Sequence, residues 1–182
     1  NNRIGMHVYA TSASTTNETR FIDVTITDNI ISENEWKGLY FEILNNATIS
    51  GNEFLHSGFG TVHGGGNGNN GIDLNLKYGD HSNVQILNNI FDNSGIYAGV
   101  GTDVSAALAI KPRNIGSYLA NPATLDNVNV LGNLFRNLPS VGGRAILVGE
   151  NGTVMPTNMM ISFNAFSGGP YIGIRNTAAV ET

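Results

Sequence analysis

The sequence predicts an all-β solenoid, and three observations predict it. One phrase is written five times: VTITDNIISEN begins at Val24, ATISGNEFLHS at Ala47, VQILNNIFDNS at Val84, VNVLGNLFRNL at Val128 and MMISFNAFSGG at Met159. Self-similarity at spacings of roughly 20 to 50 residues marks repeat architectures. Within each phrase apolar residues alternate with polar ones, many of them β-branched, which is the period of a strand. No helical stripe of useful length runs through the chain. The composition agrees, since 23 Gly and 26 Asn stand among 182 residues. Both residue types tolerate left-handed backbone, so the chain is rich in turns.

Each element follows from the alignment of the copies. The first strand brings Ile26, Ile49, Ile86, Val130 and Ile161 into one column. A turn follows, marked by Asn29, Asn52, Asn89, Asn133 and Asn164. Two residues on comes a bulky apolar position, filled by Ile31, Phe54, Phe91, Phe135 and Phe166. A second phrase then appears: GLYFEI at Gly38, GIDLNLK at Gly71, ALAIKPR at Ala107, AILVGE at Ala145 and YIGIR at Tyr171, with GMHVYA at Gly5 standing before the first copy. Each unit reads as strand, Asn turn, short second strand and variable loop. The Asn positions lie 23 to 44 residues apart, so loops of different length are spliced between fixed strands.

A parallel coil explains why identical residues recur. Equivalent strands stack about 4.8 Å apart, so like sits on like. The Phe residues then form an internal aromatic column. The Asn residues form a ladder in which each amide bonds to the next. This gives the Asn column a structural role.

The pattern N-V-x-I-x-x-N-x-F-x-N followed by G-I-x-I resembles the repeat of right-handed parallel β-helix proteins of the pectate-lyase-like superfamily. The resemblance covers Gly5 to Arg175 and implies about six coils in a single domain, residues 1–182. It further implies a secreted or cell-surface setting. It does not imply one activity, because that superfamily holds polysaccharide lyases, hydrolases, uronan epimerases, tailspikes and adhesins.

Charge and composition narrow the partners. The net charge of −5 disfavours nucleic acid, whose phosphates want a basic face. No apolar run approaches the length of a membrane span. With no Cys, disulfide and thiol chemistry are excluded. Asn17, Asn46 and Asn151 match glycosylation sequons, a match that chance supplies often in a chain this rich in Asn and Thr.

Inward positions of such a coil are filled, so a site must lie on an outward strand face and its bordering loops. The outward positions of the first strand are bland. Those of the second phrase are not. One column reads His7, Tyr40, Asp73, Ala109, Leu147, Gly173, and the next reads Tyr9, Glu42, Asn75, Lys111, Gly149, Arg175, with Lys77 and Arg113 beyond. Rings, carboxylates and long cations at about 5 Å steps suit an elongated polar ligand such as a glycan chain. The alternative is an ordinary face laced with ion pairs. Three long connections border this face, at 58–70, 95–106 and 113–126, and loops of that length are often functional.

Catalytic candidates are fewer. Tyr78, Asp80 and His81 in KYGDHSN resemble the Tyr/Asp/His cluster of mannuronan epimerases, with fewer residues between the Asp and the strand than that family has. Lys111 and Arg113 in IKPRN have the residue types of the base and substrate clamp that polysaccharide lyases use, and read equally well as the solvated end of a strand. Calcium, which pectate lyases bind, has no clear site, because calcium wants six to eight oxygens and no carboxylate cluster is visible. The four His residues lack metal-ligand spacing, so no cofactor is expected.

The expectation is an extracellular scaffold that binds polysaccharide or cell-surface glycan, as a segment of a longer secreted protein. One alternative is a filament or adhesin subunit built by end-to-end stacking of coils. The other is a fragment of a polysaccharide lyase or uronan epimerase.

Overall fold

A computed structural model describes residues 2–10, 21–60, 68–95, 105–138, 144–150 and 153–168, and the backbone of 172–176. The chain forms a parallel β-helix with three sheets. The first sheet holds six strands in spatial order: β1 (Asn2–Val8), β4 (Asn34–Phe41), β7 (Asn70–Leu74), β10 (Ala106–Ile110), β13 (Arg144–Val148) and β16 (Ile172–Asn176). The second holds β2 (Ile22–Thr27), β5 (Asn45–Ser50), β8 (Gly79–Leu87), β11 (Ala123–Leu131) and β14 (Thr157–Ser162). The third is built of three-residue strands: β3 (Ile30–Ser32), β6 (Glu53–Leu55), β9 (Ile90–Asp92), β12 (Leu134–Arg136) and β15 (Ala165–Ser167).

The repeated phrase spans a corner between the second and third sheets. Corners need backbone that leaves the strand, and left-handed residues supply it. They fall in matched sets: Asp28, Gly51, Asn88, Gly132 and Phe163 close the second sheet, and Glu33, His56, Asn93, Asn137 and Gly168 close the third. A third set bends the strands of the second sheet at Asp23, Asn46, Asn83, Asn127 and Asn158. This is why Asn and Gly are so abundant.

Register confirms the aligned columns. Ile26 pairs with Ile49, Ile49 with Ile86, Ile86 with Val130 and Val130 with Ile161. The third sheet stacks Ile31, Phe54, Phe91, Phe135 and Phe166. Phe54, Phe91 and Phe135 are fully buried, with ring centroids 4.8 Å apart. Such pairs add about 0.5–1.5 kcal/mol beyond the area they bury.

The Asn ladder runs the length of the coil. Asn52 Oδ1 accepts from Asn29 N at 3.0 Å and from Asn29 Nδ2 at 3.1 Å. Asn89, Asn133 and Asn164 accept likewise from the coil before, at 2.9 to 3.0 Å. The second amide hydrogen reaches a main-chain carbonyl of the preceding coil: Ile26 for Asn52, Ile49 for Asn89, Ile86 for Asn133 and Val130 for Asn164. The ladder therefore has a direction, with donors pointing toward the later coil.

Close packing also fixes one position within β4. A Cβ at Gly38 would stand 2.5 Å from Gly71 O and 3.1 Å from the Phe54 ring, so only glycine fits beneath the next coil.

Candidate functional site

The six-stranded sheet alternates. Phe41, Ile72, Leu74, Leu108, Ile110, Ile146 and Val148 belong to the main core. Their neighbours Tyr40, Asp73, Ala109 and Leu147 stand on the outer side, in register with His7. The pairing corrects one position. Arg175 pairs with Leu147, not with Gly149, so Gly173 leaves that column. A two-residue slip keeps the same residues outward, so period-two reasoning does not detect it.

The structure also corrects the character of this face. Most of the outward stripe expected to meet a ligand is buried: Asp73 is 0% exposed, Lys111 2%, Glu42 2%, Asn75 5% and Tyr40 6%. Two things make the burial tolerable. Ala106, Ala109 and Leu147 form a second small apolar cluster outside the main core. Next to it the charges neutralise one another. Asp73 lies between two lysines, bonded to Lys37 and standing 2.9 Å from Lys111 Nζ. Lys111 is also 3.8 Å from Glu150, which pairs with Arg113. Arg113 Nε donates to Asn75 Oδ1, and Asn75 Nδ2 donates to the Tyr40 hydroxyl at 2.8 Å.

The titration behaviour follows from this packing. Burial pushes the Lys37 ammonium down to about 8, against the attraction of Asp73, and neighbouring Lys111 adds to the fall. Burial also raises the Tyr40 phenol well above its ordinary value, and Asp73 and Glu42 add to it. Burial alone would raise the Asp73 carboxyl, but Lys111 and Lys37 outweigh it and hold it below the usual carboxylate range.

At one margin the face opens. Lys77 pairs with Glu42 at 2.6 Å and keeps 15% of its side chain exposed. Its ammonium sits 5.8 Å from the Tyr9 ring and 5.8 Å from the Tyr118 ring. Tyr118 packs edge-on against Tyr78 at 5.3 Å, and Tyr9 packs edge-on against His7 at 5.6 Å. His7 in turn stacks on Tyr40 at 4.3 Å and stands 3.5 Å from Glu42. Tyr9 is 61% exposed. Tyr118 is carried by a single 3-10 turn, Gly116–Tyr118. The margin is thus a group of tyrosines around one cation, resting on the buried ion network.

The Tyr78, Asp80 and His81 stretch does not converge. Gly79, Asp80 and His81 lie inside β8 rather than in a loop before it, so adjacent side chains point to opposite sides. Asp80 is exposed and accepts from Thr124 Oγ1 at 2.8 Å. His81 is buried, with Nδ1 3.0 Å from Leu44 O and Nε2 3.3 Å from Lys77 O. It ties two backbone segments together. Lys111 and Arg113 do share one network, but both are engaged by Asp73 and Glu150.

Three residues of the site escape sequence reasoning. Lys37 stands one position before the second phrase, and reading one residue upstream would have found it. Glu150 follows the strand Arg144–Val148 and is brought in by Arg113. Tyr118 lies in the long connection 113–126, where only loop length pointed. The other two long connections and the sequons at Asn17 and Asn151 fall wholly or largely outside the described residues. Asn46 is exposed, and its Nδ2 donates to Asp23.

Among the described residues no group of three or more acidic or His side chains is placed to hold a metal ion. No helix among them is long and apolar enough to cross a membrane. No protein-family model, curated protein or solved structure matches the chain.

Proposed function

We propose that the chain binds an acidic polysaccharide at the tyrosine-rich margin of the six-stranded sheet. The observation that carries this reading is the placement of Lys77 between the Tyr9 and Tyr118 rings. Rings of this kind stack on the apolar faces of sugars, and a cation between them meets a uronate carboxylate. The wider cluster supports the sign of the ligand. It holds Lys37, Lys77, Lys111 and Arg113 against Glu42, Asp73 and Glu150, four cations against three anions. A locally positive focus on a chain of net charge −5 attracts an anion specifically to that place. The buried network serves as the rigid support of the margin.

The repeat is consistent with a β-helix of the pectate-lyase-like superfamily, and an extracellular setting belongs to the same proposal. Binding rather than catalysis is the better reading, because the buried lysines and Asp73 are paired with one another. Isothermal titration with oligouronates and with neutral oligosaccharides of equal length tests it. Oligouronates should bind, and neutral chains should bind more weakly. Tyr118→Ala should weaken binding about tenfold, close to 1.4 kcal/mol. Equal affinity for both classes of chain, or turnover of the uronate, overturns the reading.

A further inference from the structure

Lys37, Asn70 and Asp73 meet in one buried group on the six-stranded sheet. Lys37 and Asn70 are register partners in β4 and β7. Asp73 lies further along β7. Lys37 Nζ stands 3.4 Å from Asn70 Oδ1 and is bonded to the Asp73 carboxylate. Asn70 Nδ2 donates to Ala106 O at 3.1 Å, which leaves its carbonyl on the Lys37 side. The Trp36 and Tyr40 rings flank the lysine nitrogen at 4.7 and 4.3 Å. Lys37 is 1% exposed, and Asn70 and Asp73 are 0%. An amine, a carboxamide and a carboxylate thus share one buried site. A salt bridge needs only the first and the last of these.

We propose that this group is an autocatalytic cross-linking site, which joins Lys37 Nζ to Asn70 Cγ in an amide bond between successive coils. The free amine of Lys37 attacks Asn70 Cγ, the carbon bonded to the Oδ1 that it already faces. Its lone pair forms the new C–N bond, and Asp73 takes one proton from the attacking nitrogen. Asp73 then gives that proton to Asn70 Nδ2 as the old C–N bond breaks. The former amide nitrogen leaves with the bonding pair as ammonia. Atoms and charge balance with no oxidant, cofactor or second molecule. The fold supplies the proximity, since holding both groups in place makes the step intramolecular.

The surroundings favour the free amine. Burial brings the Lys37 ammonium down to about 8, and Lys111 adds to the fall, against the pull of Asp73 and Glu150. Tyr40 faces the same nitrogen as a neutral phenol, and Arg3 stands 5.1 Å from the Trp36 ring. At pH 7 most of Lys37 is still the ammonium, so linking is slow there, and melting curves taken promptly report the unlinked chain. Near pH 9 the amine predominates. The bond closes residues 37–70 into a covalent loop and ties β4 to β7. A repeat coil is otherwise held by contacts between neighbours alone, so one such bond keeps two coils from separating.

The test uses the 182-residue chain, held at pH 9 and then denatured for mass measurement. It should become lighter by one ammonia. Trypsin should then leave residues 21–77 uncut at Lys37, because the acylated side chain is no longer a cation. Asn70→Ser should keep its full mass and be cut at Lys37. Asp73→Asn should link at least about a hundredfold more slowly, as expected when a general acid–base group is lost. A wild-type chain of full mass overturns the proposal, whether or not the variants fold. So does a loss of ammonia that leaves Lys37 open to trypsin, because that places a succinimide at Asn70–Gly71 instead. Linking at the wild-type rate in a folded Asp73→Asn chain overturns the role of Asp73. Glycan binding is read separately at Tyr118, so the failure of one leaves the other standing.

Discussion

Asn89 and Asp73 are both polar and both fully buried, yet they are accommodated in opposite ways. Asn89 is neutral. Its carbonyl accepts two bonds from Asn52, and its amide gives two, to Asn133 and Ile49. The same arrangement recurs at Asn52 and Asn133, so one solution serves three successive coils. Asp73 is charged. It is held by Lys37 in β4 and by Lys111, which directly follows β10. The interior is periodic. The outer face of the six-stranded sheet is a single composition of unlike residues. Repetition holds the coil together, and departure from repetition makes the site.

The sharpest way to break this comparison is to remove one charge from the outer face. Asp73→Leu leaves Lys37 and Lys111 buried beside each other without their shared anion. Breaking a buried pair in this way costs about 3–5 kcal/mol. Urea unfolding followed by circular dichroism should show it as a drop in midpoint. The triple variant Lys37→Met, Asp73→Leu, Lys111→Met should recover most of that loss, since apolar replacement of a whole buried ion cluster is often neutral. A triple variant as unstable as the single one would mean that the network fixes the local fold rather than merely neutralising itself.

The ladder should give a smaller but still large effect that depends on position. Asn89→Ala strands the Asn52 amides in the interior, at a cost of about 2–3 kcal/mol. Asn29→Ala removes the first rung, whose carbonyl accepts from no earlier rung among the described residues, and should cost about 1 kcal/mol or less. Equal losses at the two positions, measured by the same unfolding curves, would contradict a directional ladder.

A third test uses pH. Lys37 is pushed down to about 8 from 10.5, chiefly by burial. Between those values the unfolded chain binds the proton that the folded chain has released, so stability rises with pH across that window. Below it both states are protonated, and the cost of burying the ammonium is present in full. Tyr40 acts in the opposite sense above its ordinary value, because its raised phenol keeps a proton that the unfolded chain loses. The melting temperature of the wild type, measured from pH 7 to 10, should therefore climb relative to that of Lys37→Met. Parallel profiles would mean that Lys37 is not desolvated.

How much was legible follows the same division. The Ile, Asn and Phe columns could be read from the phrase alone, because parallel stacking places identical residues on each other. The short third sheet could be read only as a turn and a second strand. The left-handed residues on both sides of it, Asp28 and Glu33 in the first coil, turn the chain twice within six residues, a spacing too short for a periodic signal. On the outer face the residue types were legible and their state was not. Tyr40, Glu42, Asp73, Asn75 and Lys111 were found by alternation, but alternation says which side a residue faces, not what lies over it. Lys37 sits just outside the repeated phrases and Glu150 at the last position of one, and both enter only through their charges. His81 looked like chemistry because it follows an Asp, while its actual partners, Leu44 and Lys77, are carbonyls that no side-chain pattern reveals.

The smallest effect completes the contrast. Arg136 and Asp92 form an ion pair at 2.9 Å on the outside of the third sheet, with side chains 40% and 24% exposed. They resemble Lys111 and Asp73 in geometry, since each pair joins adjacent strands of one sheet. They differ in solvent. Water screens the exposed pair, and holding a long side chain in place offsets much of the attraction, so such pairs contribute about 0–1 kcal/mol. Arg136→Ala should therefore shift the unfolding midpoint by about a tenth of what Asp73→Leu does, and raised salt should shrink even that. A loss comparable to that of Asp73→Leu would show that the two faces are not electrostatically distinct, and burial would no longer explain why the outer face of the six-stranded sheet is the exceptional one.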